Sequence, residues 1–290
     1  MTAAPNSGLL ASSSRREQRQ LLGLSMPALI LIGIICAIPV LCLFWLSFVG
    51  PEGFTLRNYA RIIENPSYLA IFKNTFLASS VITLLAIVLG YPLAYYIATL
   101  PDRAATLCLA LVLVPFWTSL LVRTYAWLVI LQRQGLINQA LIELGIIDRP
   151  IQLVYNWTGT VVGMIHIMLP FFVLPMYAAI RSVDRDLLRA AASLGASPPK
   201  AFWTVFLPLT MPGLLAGAML VFVYCLGFYV TPAILGGGRV TMVAMKVEQN
   251  ATIYSDWGAA SSLGLVLLVL TLTIFFAIAG LLKRQVGTLP

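Results

Sequence analysis

Long apolar runs separated by short polar segments dominate the chain. A bilayer core about 30 Å thick is crossed by a helix of roughly 20 apolar residues. Six stretches reach this length, and each is far longer than the ~9–11 residues of a barrel strand. The pattern predicts an all-α integral membrane protein with six transmembrane helices, at about residues 21–48, 74–99, 105–131, 158–180, 211–235 and 257–282.

Two of these runs need interpretation. The first, Leu21–Phe48, carries no charge over 28 residues, whereas a cleavable signal has an apolar core of ~7–15 residues. It is therefore expected to remain as a membrane helix. The run from Ala201 to Gly238 is too long for one span, and Pro208 and Pro212 are expected to divide it into a short lead-in and the fifth helix.

The distribution of Lys and Arg predicts the orientation. With both termini inside, ten of these residues fall in cytoplasmic segments and seven in outer segments, as the positive-inside rule favours. We expect cytoplasmic tails at residues 1–20 and 283–290, a single transmembrane domain at 21–282 and a cytoplasmic loop at 181–210. The outer loops 49–73 and 132–157 either receive an external partner or lie on the membrane as interfacial helices.

Composition supports a lipid environment and excludes several other classes. The chain is 60% apolar and 10% charged, whereas soluble proteins have about 25% charged residues. Its net charge of +8 comes from basic residues scattered beside apolar runs, so nucleic-acid binding is not expected. The composition implies a membrane protein that crosses the bilayer several times.

Neither a metal site nor an enzymatic site is expected. The four cysteines, Cys36, Cys42, Cys108 and Cys225, lie in apolar stretches without ligand spacing. The single histidine, His166, has no ligand partner and is expected to be packed and neutral. No nucleophile and base are arranged for catalysis, so the chain is interpreted as a non-enzyme.

The segment between the fourth and fifth helices has the clearest local signals. Asp184 and Asp186 suit the N-terminus of a helix that would run to Leu194. Gly195 should end this helix, and Ser197-Pro198-Pro199 should open a second one. The result is a helix-Gly-helix elbow, here called the elbow, with small side chains at residues 190–192. An ordinary re-entry loop is the alternative.

The elbow resembles the EAA loop of binding-protein-dependent ABC importer permeases. Ala190-Ala191, three residues, Gly195, nine residues and Val205-Phe206-Leu207-Pro208 follow the pattern E-A-A-x3-G-x9-I-x-L-P. Arg189 stands where that pattern has Glu, and Val205 where it has Ile. The resemblance implies a type I importer fold and a coupling helix that contacts an ATPase through Ala190, Ala191, Gly195, Ala196, Ser197, Leu207 and Pro208.

Further segments resemble the spermidine/putrescine permeases of the PotB/PotH type. They are residues 90–94 (GYPLA), 114–119 (VPFWTS), 194–197 (LGAS) and 207–213 (LPLTMPG). The family implies a heterodimer with a second homologous permease subunit, two ATPase subunits and a periplasmic solute-binding protein. It also implies a location in the bacterial inner membrane, crossed several times. ATP and Mg would bind the ATPase, because this chain has no GxxxxGK[ST] motif. No cofactor is expected in the chain itself.

A route for the solute is harder to predict. None of the ten Asp and Glu residues lies deep in an expected span, which argues against a high-affinity cation site there. Ring faces attract cations, so aromatic residues are candidates, although packing or lipid contact explains each one equally well. The candidate path residues are Trp117, Arg123, Phe222, Tyr224, Phe228 and Tyr229.

Arg123 is the one charge expected inside a span, and we assign it a structural or gating role.

The function predicted is ATP-driven import of a small polyamine. One alternative keeps the architecture but carries an opine, amino acid derivative, phosphonate or metal complex. Another is an ion-coupled secondary transporter, which predicts intramembrane carboxylates or inverted repeats, and the sequence has neither.

Overall fold

The computed structural model describes the backbone of residues 7–50 and 53–286, and the side chains of residues 23, 25–50, 53–277 and 280. These residues form helices joined by short segments and one two-stranded hairpin, in which Val49 pairs with Phe54. The strands are β1 (Val49–Gly50) and β2 (Gly53–Phe54). The helices are α1 (Ser7–Ser47), α2 (Arg57–Glu64), α3 (Pro66–Thr99), α4 (Asp102–Leu113), α5 (Leu120–Leu131), α6 (Leu136–Glu143), α7 (Trp157–Ser182), α8 (Arg185–Ser193), α9 (Pro198–Ala201), α10 (Leu207–Leu226), α11 (Val230–Leu235), α12 (Val243–Thr252) and α13 (Trp257–Val286).

Five helical segments are long and apolar enough to cross a bilayer, and a bent helix pair brings the number to six if it forms one span. The five are Ser25–Ser47, Pro66–Thr99, Trp157–Ser182, Pro198–Leu226 and Trp257–Ala277. The bent pair joins Asp102–Trp117 to Leu120–Glu143. This agrees with the six-helix membrane class expected from the sequence, although several boundaries differ.

The third span is broken, whereas one continuous helix at 105–131 was predicted. A 3-10 turn at Val114–Trp117 follows α4, and Thr118 and Ser119 are extended before α5 begins. The two halves meet at 96°. Pro115 has no N–H to donate to the α-helical ladder. The α-helix therefore gives way to the 3-10 turn at Pro115, although Val114 before it is still helical, and the extended residues follow that turn.

The fifth span also differs from the predicted 211–235. The helix already begins at Pro198 and is continuous to Leu226, with a π turn at Phe202–Phe206 directly before α10. Pro208 and Pro212 therefore do not divide it. Pro208 lies in the first turn of α10, and π turns commonly accommodate such interruptions. The break comes later, at residues 227–229.

Other boundaries shift because of local caps and because helices continue beyond the apolar runs. The second span was predicted to begin at residue 74, but α3 begins at Pro66, where the Asn65 side chain accepts a bond from Ser67 N at 2.9 Å. Backbone helix extends into both predicted tails, through α1 from Ser7 and α13 to Val286. Residues 1–6 and 287–290 of those tails lie outside the described residues.

The core is formed where α3, α7 and α10 pack together. A side chain at Gly90 would collide with the Phe172 ring, and one at Gly217 would come within 3.0 Å of the Phe172 carbonyl oxygen. Likewise, a side chain at Gly213 would strike Ala179. Small residues therefore let these three helices approach closely, as is usual between membrane helices. In contrast, the side chains of α1 from residue 25 to 45 are exposed.

Candidate functional site: the elbow and an aromatic row

The elbow has the local structure predicted from its sequence. Asp184 caps α8, because its side chain accepts a bond from Asp186 N at 2.9 Å. Gly195 has φ +83, a left-handed conformation that glycine adopts without steric cost. Two bonds complete a Schellman motif, from Ala196 N to Ala191 O at 3.0 Å and from Gly195 N to Ala192 O at 2.9 Å. Pro198 then opens α9.

Most of the elbow faces away from the bundle. No residue of α8 is buried, and Leu187 and Leu194 are 47% and 89% exposed. Leu188 packs against the core and attaches α8 to the other helices. The elbow therefore presents an apolar, small-residue surface that the described chain leaves uncovered. Such a surface suits a protein partner.

Charged residues surround the elbow on the side of the bundle. A cavity of about 830 Å³ lies between α8 and the ends of α3 and α7. Arg181 at the end of α7 binds Asp102 at the start of α4. Arg189, at the position of the motif Glu, donates to Asp186 at 2.9 Å, and both side chains are at least 75% exposed. Such exposed pairs add little to stability, so these arginines remain available to a partner.

The elbow is connected to the bundle by packed rings. Phe202 and Phe206 in the π turn stack with centroids 5.7 Å apart. Edge-on contacts join Phe202 to Tyr91 at 6.2 Å and Phe206 to Tyr95 at 5.5 Å. Leu207 and Pro208 begin α10 directly after this turn. A displacement of the elbow would thus reach both α3 and α10.

A row of aromatic side chains crosses three elements of the bundle. Phe116 lies 4.9 Å from Phe171, and Phe171 lies 4.5 Å from Tyr224, measured between ring centroids. Tyr224 is 49% exposed, and Trp117 beside Phe116 is 74% exposed. We call Phe116, Phe171 and Tyr224 the aromatic row. Its partly exposed rings could interact with a cation through their faces.

The predicted path residues do not all come together. Phe222 faces away from the row, toward Phe76, and lines an apolar cavity between α3, α10 and α13. Phe228 packs against the core. Tyr229, 37% exposed, lies in the break between α10 and α11. Of Phe222, Tyr224, Phe228 and Tyr229, only Tyr224 belongs to the aromatic row.

Sequence reasoning missed Phe116 and Phe171 as members of the row. Phe116 lies in the quoted VPFWTS segment, so its position beside Trp117 was a usable signal. Phe171 had none, because the neighbouring Phe172 is just as apolar and is fully buried in the core. Only the rotation of α7 decides which of the two rings reaches the surface.

Arg123 and His166 lie near each other on facing helices. Arg123 is on α5, one turn before Trp127, which contacts His166 on α7. Trp127 Nε1 donates to His166 Nδ1 at 3.1 Å. The next residue after Arg123 is Thr124. Its hydroxyl lies 3.2 Å from that of Thr231 and connects α5 to α11. The segment that follows the break in the third span and the segment that follows the break after α10 thus meet beside Arg123.

A second polar surface lies at the other end of α3. A cavity of about 1120 Å³ is bounded by α2, by the start of α3 and by the start of α13. Arg61 and Asp256 form an ion pair across it at 3.2 Å. This cavity and the elbow are separated by the length of α3, whose 34 residues span about 50 Å at ~1.5 Å per residue.

The loop between α5 and α7 is shaped by its own hydrogen bonds. In this loop, residues Leu136–Glu143 form α6. Asn138 is buried and bonds the carbonyls of Gln132 and Ile151 at 3.0 Å each. Among the described residues, no group of three His, Cys, Asp or Glu is placed to hold a metal ion.

Comparison with known proteins adds a family. Residues 86–287 match the model for "Binding-protein-dependent transport system inner membrane component". The chain is 36% identical to the spermidine/putrescine transport system permease protein PotB of Escherichia coli (strain K12), over 80% of this chain and 86% of that protein. It is 35% identical to the PotB protein of Haemophilus influenzae, over 86% and 90% of the two chains.

Solved structures share the fold at lower identity. A bacterial ABC transporter involved in the import of alginate matches with a TM-score of 0.73 and 16% identity, over 94% of this chain and 98% of that chain. A bacterial alginate ABC transporter has also been solved in complex with an alginate-bound periplasmic protein. Together with the family match, these similarities show that the chain belongs to the family of binding-protein-dependent transport system inner membrane components, as the permease subunit of an ABC importer.

Proposed function

We propose that this chain forms half of the membrane channel of an importer for spermidine or putrescine. The PotB relatives at 36% identity carry the proposal of a polyamine cargo. The aromatic row supports it, because ring faces favour ammonium groups without an intramembrane carboxylate. A 2-aminoethylphosphonate permease is only 25% identical, so that cargo is a weaker candidate.

The elbow is the proposed contact with the ATPase. The observation that supports this proposal is the exposure of α8. Leu188 attaches α8 to the bundle, and Gly195 ends the helix in a left-handed conformation. Each of two ATPase subunits would hold one elbow, one from this chain and one from a second permease. ATP and Mg bind on those ATPases in this scheme.

The proposed transport cycle is alternating access. Closure of the ATPase pair on ATP moves the elbow, and the π turn passes this motion to α10. The bundle opens outward, and a periplasmic binding protein releases its solute toward the aromatic row. Hydrolysis restores the inward state. The nucleotide must favour one state by differential binding, since equal affinity for both states would shift nothing.

The proposed orientation keeps both termini and the elbow in the cytoplasm. The cavity beside Arg61 and Asp256 then faces the periplasm, where a binding protein would dock. Cysteine labelling tests this orientation. An introduced cysteine at Ser193, on the elbow, should react with an impermeant maleimide only in inverted vesicles, and one at Glu64 only in right-side-out cells.

Uptake by the reconstituted assembly tests the cargo. Proteoliposomes that contain this chain, its membrane partner and the ATPase, supplied with binding protein and enclosed ATP, should accumulate labelled spermidine or putrescine. Excess unlabelled polyamine should block the signal, whereas excess 2-aminoethylphosphonate should not. ATP-dependent uptake of the phosphonate with no polyamine uptake would overturn the proposed cargo while leaving the importer class intact.

A further inference from the structure

Arg123 occupies a position where a charge needs a counterion. It lies one turn before Trp127, which bonds His166 on α7. His166 follows the start of α7 by nine residues, or about 14 Å at ~1.5 Å per residue. This depth is near the middle of a bilayer core about 30 Å thick. Arginine at such depth usually pairs with another group or faces a polar cavity.

The described part of the chain offers Arg123 no such partner. Its Nε is buried and makes no hydrogen bond. The ion pairs among the described residues are Arg61–Asp256, Arg181–Asp102 and Arg189–Asp186, and none includes Arg123. Within the described residues, Arg123 therefore has one buried N–H without an acceptor and no carboxylate partner.

His166 does not neutralise it. Trp127 Nε1–H donates to His166 Nδ1 at 3.1 Å, so this nitrogen accepts and carries no proton. The other nitrogen is then the donor of a neutral imidazole. The histidine tolerates the nearby arginine but supplies no negative charge.

A second copy of this chain would not supply the missing charge either. Within the described residues, no Asp or Glu lies inside α3, α5, α7 or α10, which surround the site. All ten acidic residues of the chain lie at span ends or in connecting and terminal segments: Glu17, Glu52, Glu64, Asp102, Glu143, Asp148, Asp184, Asp186, Glu248 and Asp256. A symmetric pair would place two uncompensated arginines in one channel.

We propose that a carboxylate from a membrane helix of a different permease subunit pairs with Arg123. A phospholipid phosphate fits less well, because headgroups lie at the bilayer surface and Arg123 lies near mid-depth. An anionic solute fits less well, because the proposed cargo is cationic. The inference rests on the proposed function for the existence of a second permease, and it specifies that a membrane helix of that subunit carries a carboxylate opposite Arg123.

Zero-length crosslinking tests the pairing directly. In the purified assembly, Arg123→Lys puts a primary amine at the site, and dicyclohexylcarbodiimide, which enters apolar regions, activates a nearby carboxyl for amide formation. Mass spectrometry should find this amide joined to an Asp or Glu within a membrane helix of another protein. A crosslink to a second copy of this chain, or no crosslink in a variant that still transports, would overturn the proposal.

Co-purification gives a second measure that does not need transport. Arg123→Gln should reduce recovery of the second permease with this chain at least threefold, and Arg123→Lys should restore it. Arg133→Gln removes an exposed arginine just beyond the end of α5 and should change nothing. Full recovery with Arg123→Gln and slower uptake would point to an anionic solute or lipid instead, against the proposal.

The test is separable from the cargo. If the assembly takes up no polyamine but the crosslink forms, the proposed function fails and the pairing stands. If polyamine uptake is normal and the crosslink is absent from the active variant, the proposed function stands and the pairing fails.

Discussion

Single residues in this chain are constrained by backbone geometry at some positions and by space at others. A Cβ atom placed on Gly195 would meet no other atom within 4 Å, so only the φ of +83 restricts this position. Gly217 has ordinary helical geometry, but a Cβ there would lie 3.0 Å from the Phe172 carbonyl oxygen. These two glycines therefore require different substitutions to test.

We expect Gly195→Val to uncouple transport while the protein still inserts. A branched residue in the left-handed region costs about 1–2 kcal/mol, which favours another ending for α8. Gly195→Asn should retain most activity, because Asn tolerates that conformation. ATP-dependent uptake in vesicles measures both, and equal activity of the Val and Asn variants would contradict the geometric role.

Gly217→Leu should destabilise the packing of α7 against α10. Overpacking of this kind costs about 1–3 kcal/mol and should lower the thermal unfolding temperature in detergent. Gly264→Leu, on α13 where a Cβ would meet no atom within 4 Å, is the matched control. If both variants unfold at the same temperature as the parent, close approach at Gly217 is not limiting.

At the scale of elements, the rotation of each helix decides which aromatic rings are available. Tyr224 and Phe222 are two residues apart on α10, and they face α7 and α3 respectively. Sequence spacing places them on different sides. It does not show which side faces the solute, and for that reason both were candidates.

Substitutions in the aromatic row should slow uptake. Phe171→Leu and Tyr224→Leu each remove a ring face worth about 0.5–1 kcal/mol to a passing cation, or roughly two- to fivefold in rate. Phe222→Leu, on the other side of α10, should leave the rate unchanged. Initial uptake rates at saturating binding protein measure this, and an effect confined to Phe222 would place the route elsewhere.

The sequence predicted most elements because their signals are local. Apolar length indicated the spans, and Asp184, Gly195 and Pro198 indicated the elbow. The boundary errors arose at prolines, whose effect depends on context. Pro115 breaks the third span, whereas Pro212 lies inside a continuous helix. Neighbouring helices and local π geometry can satisfy the freed carbonyls, and neither is visible in one sequence.

At the scale of the whole molecule, the chain is incomplete as a transporter. Within the described residues, the side chains of α1 from residue 25 to 45 are exposed, no residue of α8 is buried, and the Arg123 Nε has no hydrogen-bond partner. The core of α3, α7 and α10 also lacks the carboxylates on which ion-coupled carriers rely. In the proposed cycle the energy comes from the ATPase subunits.

The chain alone should not transport on an ion gradient. Proteoliposomes containing only this polypeptide, with an imposed proton or sodium gradient, should show no labelled polyamine uptake above protein-free liposomes. The complete assembly with enclosed ATP serves as the positive control. Gradient-driven uptake by the single chain would contradict its dependence on a separate ATPase.

The helix from Pro198 to Leu226 is continuous over 29 residues, or about 44 Å at ~1.5 Å per residue. It thus acts mechanically as a stiff rod with one end at the elbow and the other beside the aromatic row. Tilting such a rod by about 5° about its lower end carries the upper end by about 4 Å. This displacement is comparable to the width of a methylene chain. In the proposed cycle, a small movement at the ATPase can therefore open or close a passage for a narrow solute.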